Sequence, residues 1–285
     1  MTLAPWLKIG TPDQQKLRDM LGLLASLNVN TICTSAKCPN AGECFAQGTA
    51  TFLILGPNCT RNCRFCAVNH GRLAEPDPLE PAKVAQAVQI LDLKYVVITS
   101  VTRDDLPDYG AGQFAAVIRE IKALHEDTLV EVLIPDLTGE EKALALIVQA
   151  RPDVLGHNLE TVPRLYAKVR PQASYRQSLR VLKAVKEMKP GMLTKSSLML
   201  GLGETEGELR EVFQDLKEVD CDILTLGQYL QPTPQQLPVE RYVTPEEFSY
   251  YREIALSLGI REVYAGPLVR SSYHAREVFR TLTDV

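Results

Sequence analysis

Six of the seven cysteines in this 285-residue chain fall into two triplets. Cys59, Cys63 and Cys66 have the spacing C-x3-C-x2-C in a polar stretch that runs from Leu55 through Gly56, Pro57 and Asn58. Three thiolates so close together in a loop can converge on a cubane cluster, and iron–sulfur clusters are ordinarily held by four cysteine thiolates. Here the local count stops at three, which leaves one iron open to an exogenous ligand. Zinc is the alternative, because His70 is near enough in sequence to act as a fourth ligand, although zinc spacings usually pair two C-x2-C knuckles or add histidines. Unligated thiols are disfavoured, since a loop rich in Asn and Arg gives sulfur no apolar reason to cluster.

Cys33, Cys38 and Cys44 form the other triplet, spaced C-x4-C-x5-C, with Pro39 and Gly42 allowing the tight bends that aim three sulfurs inward. No fourth cysteine is close. Cys221 stands alone beside a strand candidate and reads as a packed core thiol. An odd number of cysteines argues against a closed disulfide set. The N-terminus lacks the charged stretch, apolar run and cleavage site of a signal peptide, and no run approaches a membrane span. The expected location is therefore the cytoplasm, where thiols stay reduced. A net charge of −4 and the lack of any Lys/Arg-rich run argue against a nucleic-acid partner.

These loops need a scaffold, and the rest of the chain alternates. The strand candidates are Thr51–Leu55, Tyr95–Val101, Leu129–Pro135, Val154–Leu159, Thr194–Leu202, Ile223–Leu230 and Val263–Ala265. Between them lie the amphipathic stretches Pro81–Leu91, Gly112–His125, Gly139–Ala150, Tyr175–Met188, Glu204–Val219 and Thr244–Leu258. The last opens with Thr244, Pro245, Glu246 and Glu247, a capping residue followed by Pro and acids. Such alternation implies parallel strands with helices outside, in a barrel or an open sheet. About six repeats in roughly 180 residues are too few for eight units, so the expected fold is α/β, a partial (β/α)6 TIM-type barrel with N- and C-terminal extensions. The expected organisation is residues 1–50 as N-terminal extension, 51–240 as core and 241–285 as C-terminal extension. The first extension holds a helix candidate, Pro12–Leu24, and then an irregular stretch with the second triplet. Active residues should sit at the C-terminal ends of strands and in the loops that follow.

With Phe65 between Cys63 and Cys66, the first triplet resembles the radical S-adenosylmethionine superfamily, whose hallmark is C-x3-C-x-aromatic-C after the first strand of a partial barrel. The second triplet narrows the likeness. C-x4-C-x5-C followed fifteen residues later by C-x3-C-x2-C is similar to the lipoyl synthase family. The resemblance runs through Pro5–Lys8, Ala36–Asn40, Gly48–Phe52, Arg103–Leu106, Gly156–Tyr166, Thr194–Glu204, Gly227–Thr233 and Arg270–Ala275.

That resemblance implies two [4Fe-4S] clusters. Cys59, Cys63 and Cys66 would hold the catalytic one, whose open iron chelates S-adenosylmethionine and, once reduced, splits it to a 5′-deoxyadenosyl radical. Cys33, Cys38 and Cys44 would hold an auxiliary cluster, with a serine oxygen from the Arg270–Tyr273 segment as fourth ligand; Ser271 and Ser272 both match, and Ser272 is the one expected. The implied reaction installs sulfur at C6 and C8 of an octanoyl chain on a lysine, with the auxiliary cluster as donor. The implied partners are an octanoylated lipoyl carrier domain or H-type carrier protein, and reduced ferredoxin or flavodoxin.

Thr99 and Ser100 end the second core strand, where the superfamily places residues that hold the methionine amino group. Asn158 and Glu160 could hold ribose or orient substrate, or merely cap a helix. Lys195 could reach the cofactor carboxylate or the substrate, or lie in solvent. Gln228 and Gln231 could line the adenine side, or serve loop hydrogen bonding. Arg103 and Arg164 could touch carrier or cofactor, although loop arginines usually lie on the surface. Gly201-Leu202-Gly203-Glu204 lacks the spacing and Lys-Ser/Thr of a nucleotide-binding loop. Thr102, Tyr109 and Ser197 depart from the family pattern, where Asp, Gly and Gly are expected. Two rival readings stay open. Another radical sulfur-inserting enzyme would lack the upstream triplet and the Arg-Ser-Ser-Tyr end. A non-catalytic iron–sulfur scaffold would not need the polar strand ends.

Overall fold

The computed structural model describes residues 3–7, 13–46 and 50–283. Lys8, Pro12, Gly48 and Thr49, on which the family resemblance and the first helix candidate drew, lie outside the described residues. The chain divides into two compact units, Ile9–Arg61 with Ala67–Asp153, and Met1–Lys8 with Asn62–Cys66 and Val154–Val285.

In the first unit α1 (Gln14–Ser26) starts at Asp13, whose carboxylate accepts the backbone N–H groups of Gln15 and Lys16. It is followed by β1 (Asn30–Thr31), α2 (Ile32–Ser35), α3 (Ala41–Ala46), β2 (Thr51–Ile54), α4 (Glu80–Ile90), β3 (Tyr95–Ser100), α5 (Ala111–Leu124), β4 (Leu129–Leu133) and α6 (Glu141–Gln149). β1 lies antiparallel to β2, while β2, β3 and β4 run parallel. Because α2 begins directly after β1, the Thr31–Phe52 pairing fixes where the second cysteine triplet starts. β2, β3 and β4 are covered on both faces, as parallel strands are. Phe52, Ile54, Val96, Ile98, Val130 and Val132 are fully covered, and on the alternate positions Tyr95 donates its hydroxyl to Glu131 at 2.5 Å.

The second unit contains β5 (Val154–Gly156), α7 (Tyr166–Val169), α8 (Tyr175–Met188), β6 (Leu193–Leu200), α9 (Glu206–Glu218), β7 (Ile223–Gln228), α10 (Pro245–Ser257), β8 (Glu262–Gly266) and α11 (Ala275–Thr283). β5 to β8 pair in that order, all parallel. Leu198, Leu200, Leu224 and Leu226 share a cluster with Phe213 of α9 and Phe248 of α10. The two-residue period then gives Lys195, Ser197 and Thr225 the opposite face. Both α9 and α10 start with a complete capping box, Thr205 with Glu208 and Thr244 with Glu247, and Pro245 takes the first turn as its sequence signal predicted.

Strand–helix alternation is as the sequence predicted, with local differences. The irregular stretch expected after α1 contains α2 and α3. β5 stops at Gly156 rather than Leu159, and pairing with β6 returns only as an isolated bridge between Glu160 and Leu198. α6 starts at Glu141 rather than Gly139, because Leu137, Thr138 and Gly139 adopt φ of 48°, 50° and 82° and form a separate 3-10 turn. α7 and α11 had no counterpart among the helix candidates. Cys221 is a core thiol as expected: it is 3% exposed, and burial, then the Asp222 charge, pushes it up to about 12.

Asp222, 2% exposed at the start of β7, is the electrostatic anchor of the second unit's strand entrance. It accepts Lys186 Nζ at 2.5 Å, Arg261 Nη1 at 2.7 Å and the Thr194 backbone N–H at 2.8 Å, and so joins α8, β6 and the approach to β8. Burial alone would raise its pKa, but these donors outweigh burial and hold the carboxyl below its ordinary value. Removing one partner of a buried pair leaves the other charge uncompensated, so Asp222→Ala should cost about 3 kcal/mol in a urea titration. A loss under about 1 kcal/mol would contradict this role. The folded-state pKa is lowered, so the contribution is complete above the unfolded value of about 3.9 and is lost as pH falls through the folded value. The stability gap between the parent and Asp222→Asn should therefore close in strong acid.

Candidate metal centre

The Cys33–Cys44 segment is built from short capped pieces within the first unit. Cys33 lies on α2, which starts at Thr31, whose hydroxyl accepts the Thr34 N–H at 3.4 Å. Lys37 turns the chain with φ of 53°, and Cys38 N–H then closes back on the Cys33 carbonyl at 2.9 Å. Cys44 lies on α3, its N–H bonded to the Asn40 carbonyl at 2.9 Å. Cys33 is buried, and Cys38 and Cys44 are half-buried. Burial, then the charge of a Cys38 thiolate, pushes Cys33 up to about 11. Burial, then the charges of Cys33 and Cys38, pushes Cys44 up to about 12. Gathering negative charge on these sulfurs therefore carries a cost. A cationic iron cage removes that cost, so the donor set fits an iron–sulfur group. Among the described residues no three His, Cys, Asp or Glu side chains are grouped around a single ion. In a cubane cluster each cysteine binds a different iron, so its ligands need not meet at one point.

Cys59 also belongs to the first unit. Its sulfur accepts two backbone N–H groups, from Thr102 at 3.3 Å and Arg61 at 3.4 Å. Its own N–H bonds the Asn69 carbonyl at 2.9 Å, and its carbonyl lies 3.3 Å from His70 Nδ1. His70 is thus engaged with the backbone of the loop. Thr102 contributes through its main chain, since its carbonyl also accepts both the N–H and the hydroxyl of Thr60, each at 3.0 Å. That explains why Thr can stand where Asp was expected. Tyr109, where Gly was expected, keeps the left-handed φ of 56° that Gly would adopt freely, at a cost of about 1 kcal/mol. Gly110 after it cannot be replaced in the same way, because a Cβ there would overlap the Leu55 side chain.

Arg61 and Arg103 run against the expectation that loop arginines are exposed. Arg61 is 6% exposed and chelated by Asp104 and Asp136; these partners outweigh burial and keep its pKa above the ordinary value. Arg103 is 3% exposed, with its guanidinium on Asp105 at 2.8 Å through both Nε and Nη2. Asp104 and Asp136 were missed in the sequence. The only signal for Asp104 was its place in the Arg103–Leu106 motif, and Asp136 had none. Thr99 donates its hydroxyl to the Leu133 carbonyl at 2.9 Å, whereas the Ser100 hydroxyl is buried without a partner among the described residues.

Cys63 and Cys66 belong to the second unit and are half-buried. Cys66 N–H reaches the Cys63 carbonyl at 3.0 Å. Between them Arg64 bonds through its N–H to the Val169 carbonyl at 2.9 Å and through its carbonyl to Leu237 N–H at 3.0 Å. Phe65 packs against the leucine-rich core cluster, so the aromatic of the motif acts as an anchor. Gln236 donates to the Cys66 carbonyl at 3.1 Å and itself accepts Gln231 at 2.8 Å through its backbone. Gln236 was not singled out in the sequence, where nothing distinguished it from its neighbours.

Also in this unit, Asn158 Nδ2 donates to Glu160 at 3.1 Å, while its Oδ1 is buried without a partner among the described residues. Burial raises the Glu160 pKa, opposed by the Arg170 charge and the Asn158 bond. Arg170 braces the turn from below through the Asn158 carbonyl at 2.8 Å. Lys195 is 2% exposed, which removes the solvent-facing reading of it. Ser197, where Gly was expected, donates to the Thr225 carbonyl at 3.3 Å. The Gln228 amide is committed to backbone: Nε2 to Leu200, Tyr229 and Arg241 carbonyls, and Oε1 to Val243 N–H. Arg164 is exposed and pairs with Glu208 at 2.6 Å. Ser272 is half-buried in a turn closed by Tyr273 N–H on the Arg270 carbonyl at 2.9 Å. Gly227 admits this segment beside β7, because a Cβ there would overlap the Val269 carbonyl.

Comparison with known proteins places these observations. Residues 53–216 match the family model of the Radical SAM superfamily. A lipoyl synthase of Caldanaerobacter subterraneus is 55% identical over 95% of this chain and 94% of its own. That of Caldicellulosiruptor saccharolyticus is 53% identical over 97% of both. Among solved structures, methylornithine synthase aligns with a TM-score of 0.55 at 15% identity, over 92% of this chain and 85% of its own, a likeness of fold consistent with a partial TIM-type barrel. A likeness at half of all positions, reaching across both cysteine triplets, means that the chain belongs to the lipoyl synthase family of radical S-adenosylmethionine enzymes.

Proposed function

We propose that this chain inserts two sulfur atoms, at C6 and C8, into an octanoyl group held as an amide on a lysine of a carrier protein, giving the lipoyl group. The observation that carries this reading is a second cysteine triplet, Cys33, Cys38 and Cys44, held in one short capped segment of a chain that is 55% identical to a lipoyl synthase. It marks a second sulfur-ligand set apart from the Cys59 loop, and an enzyme that only had to split its cofactor would have no use for one. In this reading Cys59, Cys63 and Cys66 hold one [4Fe-4S] cluster, and Cys33, Cys38 and Cys44 hold another with Ser272, so the terminal segments 1–50 and 241–285 both serve the second. When bound, the first supplies the electron that cleaves S-adenosylmethionine and the second supplies sulfide.

The remaining work falls to the chain's own groups. Ser100, with a buried hydroxyl still able to bond, offers a contact to the amino-acid end of the cofactor. In the second unit Asn158 offers its unpartnered Oδ1 to a ribose hydroxyl, and Glu160 fixes the amide's orientation through Nδ2. Thr99 and Gln228, both committed to backbone carbonyls, hold strand ends in place around such contacts. Lys195, buried, supplies positive charge for a carboxylate of cofactor or substrate. An octanoylated lipoyl carrier domain or H-type carrier protein is the substrate, and reduced ferredoxin or flavodoxin the electron source. The setting is the cytoplasm; no helix among the described residues is long and apolar enough to cross a membrane.

Anaerobically reconstituted protein should hold about eight irons per chain. With S-adenosylmethionine, a reductant and an octanoyl-lysine peptide, mass spectrometry should show a gain of two sulfurs. Cys59→Ala should abolish both deoxyadenosine formation and sulfur gain. Cys38→Ala and Ser272→Ala should keep deoxyadenosine formation and lose sulfur gain. A Ser272→Ala enzyme that inserts sulfur normally would remove that residue from the ligand set, and about four irons in the unsubstituted protein would remove the second cluster. Asn158→Ala should weaken cofactor binding about tenfold, the worth of one hydrogen bond of about 1.4 kcal/mol, with kcat largely kept. An unchanged KM for S-adenosylmethionine would take Asn158 out of the cofactor site.

A further inference from the structure

One buried cation ties the Cys59 loop to its neighbours. Arg61 Nε and Nη2 grip Asp104 at 2.7 and 2.9 Å, and Nη1 and Nη2 reach Asp136 at 2.8 and 2.7 Å. Asp104 lies in the loop after β3, and Asp136 in the loop after β4, where it also caps the 3-10 turn by accepting Thr138 N–H at 3.1 Å. A single side chain therefore links the loops that follow three consecutive strands of the first unit. Both backbone donors to the Cys59 sulfur ride on this tie. One is the N–H of Arg61 itself. The other is Thr102 N–H, whose residue is locked to Thr60, while the Thr60 hydroxyl in turn accepts Asp104 N–H at 3.2 Å.

The trio carries one guanidinium against two carboxylates, a net charge of about −1 beside Cys59. Iron–sulfur potentials respond to net charge and to hydrogen bonds on the sulfurs, and a fixed excess of negative charge resists the arrival of an electron. We propose that Arg61 is the positioning residue for Cys59, and that the Arg61–Asp104–Asp136 trio lowers the reduction potential of the iron–sulfur group bound through that cysteine. The inference rests on the reading of Cys59, Cys63 and Cys66 as iron ligands. A more negative potential makes the reduced group a stronger donor toward a sulfonium, which is difficult to reduce.

The two charge signs within the trio make the idea testable. In the full-length chain with Cys33, Cys38 and Cys44 replaced by Ala, a single ligand set remains. After anaerobic reconstitution, the midpoint potential is read by EPR-monitored redox titration for this parent, for added Asp136→Asn and for added Arg61→Met. Removing a carboxylate charge should raise the potential, and removing the guanidinium should lower it. A trio that served only as a brace would shift both variants in the same direction, or neither, and either result would overturn the electrostatic role. Should Arg61→Met fail to load iron, Asp136→Asn decides alone, because a potential that does not rise sinks the proposal. Arg61→Lys keeps the charge but loses the two-pronged grip, so the potential should stay near the parent value while the EPR line shape changes. An unchanged line shape would overturn the positioning role. A parent without any cluster signal would overturn the ligand assignment and this inference together, a failure visible before any trio residue is changed.

Discussion

Sulfur anions gathered in one place repel, and burial makes the repulsion worse. Cys33 and Cys44 show the constraint, since each thiol is raised by burial first and by neighbouring thiolates second. A flexible segment would answer by spreading the sulfurs apart. Here the chain between them has little freedom: α2 starts from a paired strand, Lys37 makes a left-handed turn, and Asn40 anchors the helix that presents Cys44. The ordering cost of such a segment is met by local hydrogen bonds and by pairing with β2.

Cys59 follows a different solution to the same problem. Its loop closes on itself through the Asn69 carbonyl and is also held from outside by the loops after β3 and β4. Parallel strands make that possible, because loops that follow neighbouring strands emerge on one edge of the sheet. The register of β2, β3 and β4 therefore does chemical as well as structural service. It brings Thr102 N–H to the Cys59 sulfur across 43 residues of sequence, and Asp136 to Arg61 across 75.

The same distances decide what could be read in advance. Spacing within a dozen residues revealed both triplets, and periodicity over three or more turns placed α8 at Tyr175–Met188 without error. Capping chemistry located the start of α10 for the same local reason. Helices of four to six residues, such as α2, α3 and α7, complete too few turns to show a period and are held by their surroundings. Arg61 lay in plain view inside the first triplet, but an arginine in a loop signals solvent until its carboxylates are found. Those are fixed by strand register, which one-dimensional patterns do not encode. Lys195 was ambiguous for a related reason: in a parallel sheet both faces are buried, so a lysine on the face opposite Leu198 and Leu200 is enclosed as fully as they are.

Polar atoms inside a protein are nearly always satisfied, and this sorts the strand-end residues more finely than their position does. Gln228 looks like a ligand contact by location, but its amide bonds four backbone groups, and turning it toward a cofactor would strand carbonyls of Leu200 and Arg241. Its role is to close the chain around β7. Ser100 and Asn158 are the opposite case, because each keeps a buried oxygen with capacity to spare. Leaving such an atom unpaired costs about 1–3 kcal/mol, a penalty that a hydrogen bond to another molecule would relieve. Within each unit, then, the residue committed to a strand end and the residue with an unpaired buried oxygen are different. A side chain already committed to the scaffold would keep its geometry when a ligand arrived, whereas an uncommitted one could turn its spare hydrogen-bonding capacity into binding energy.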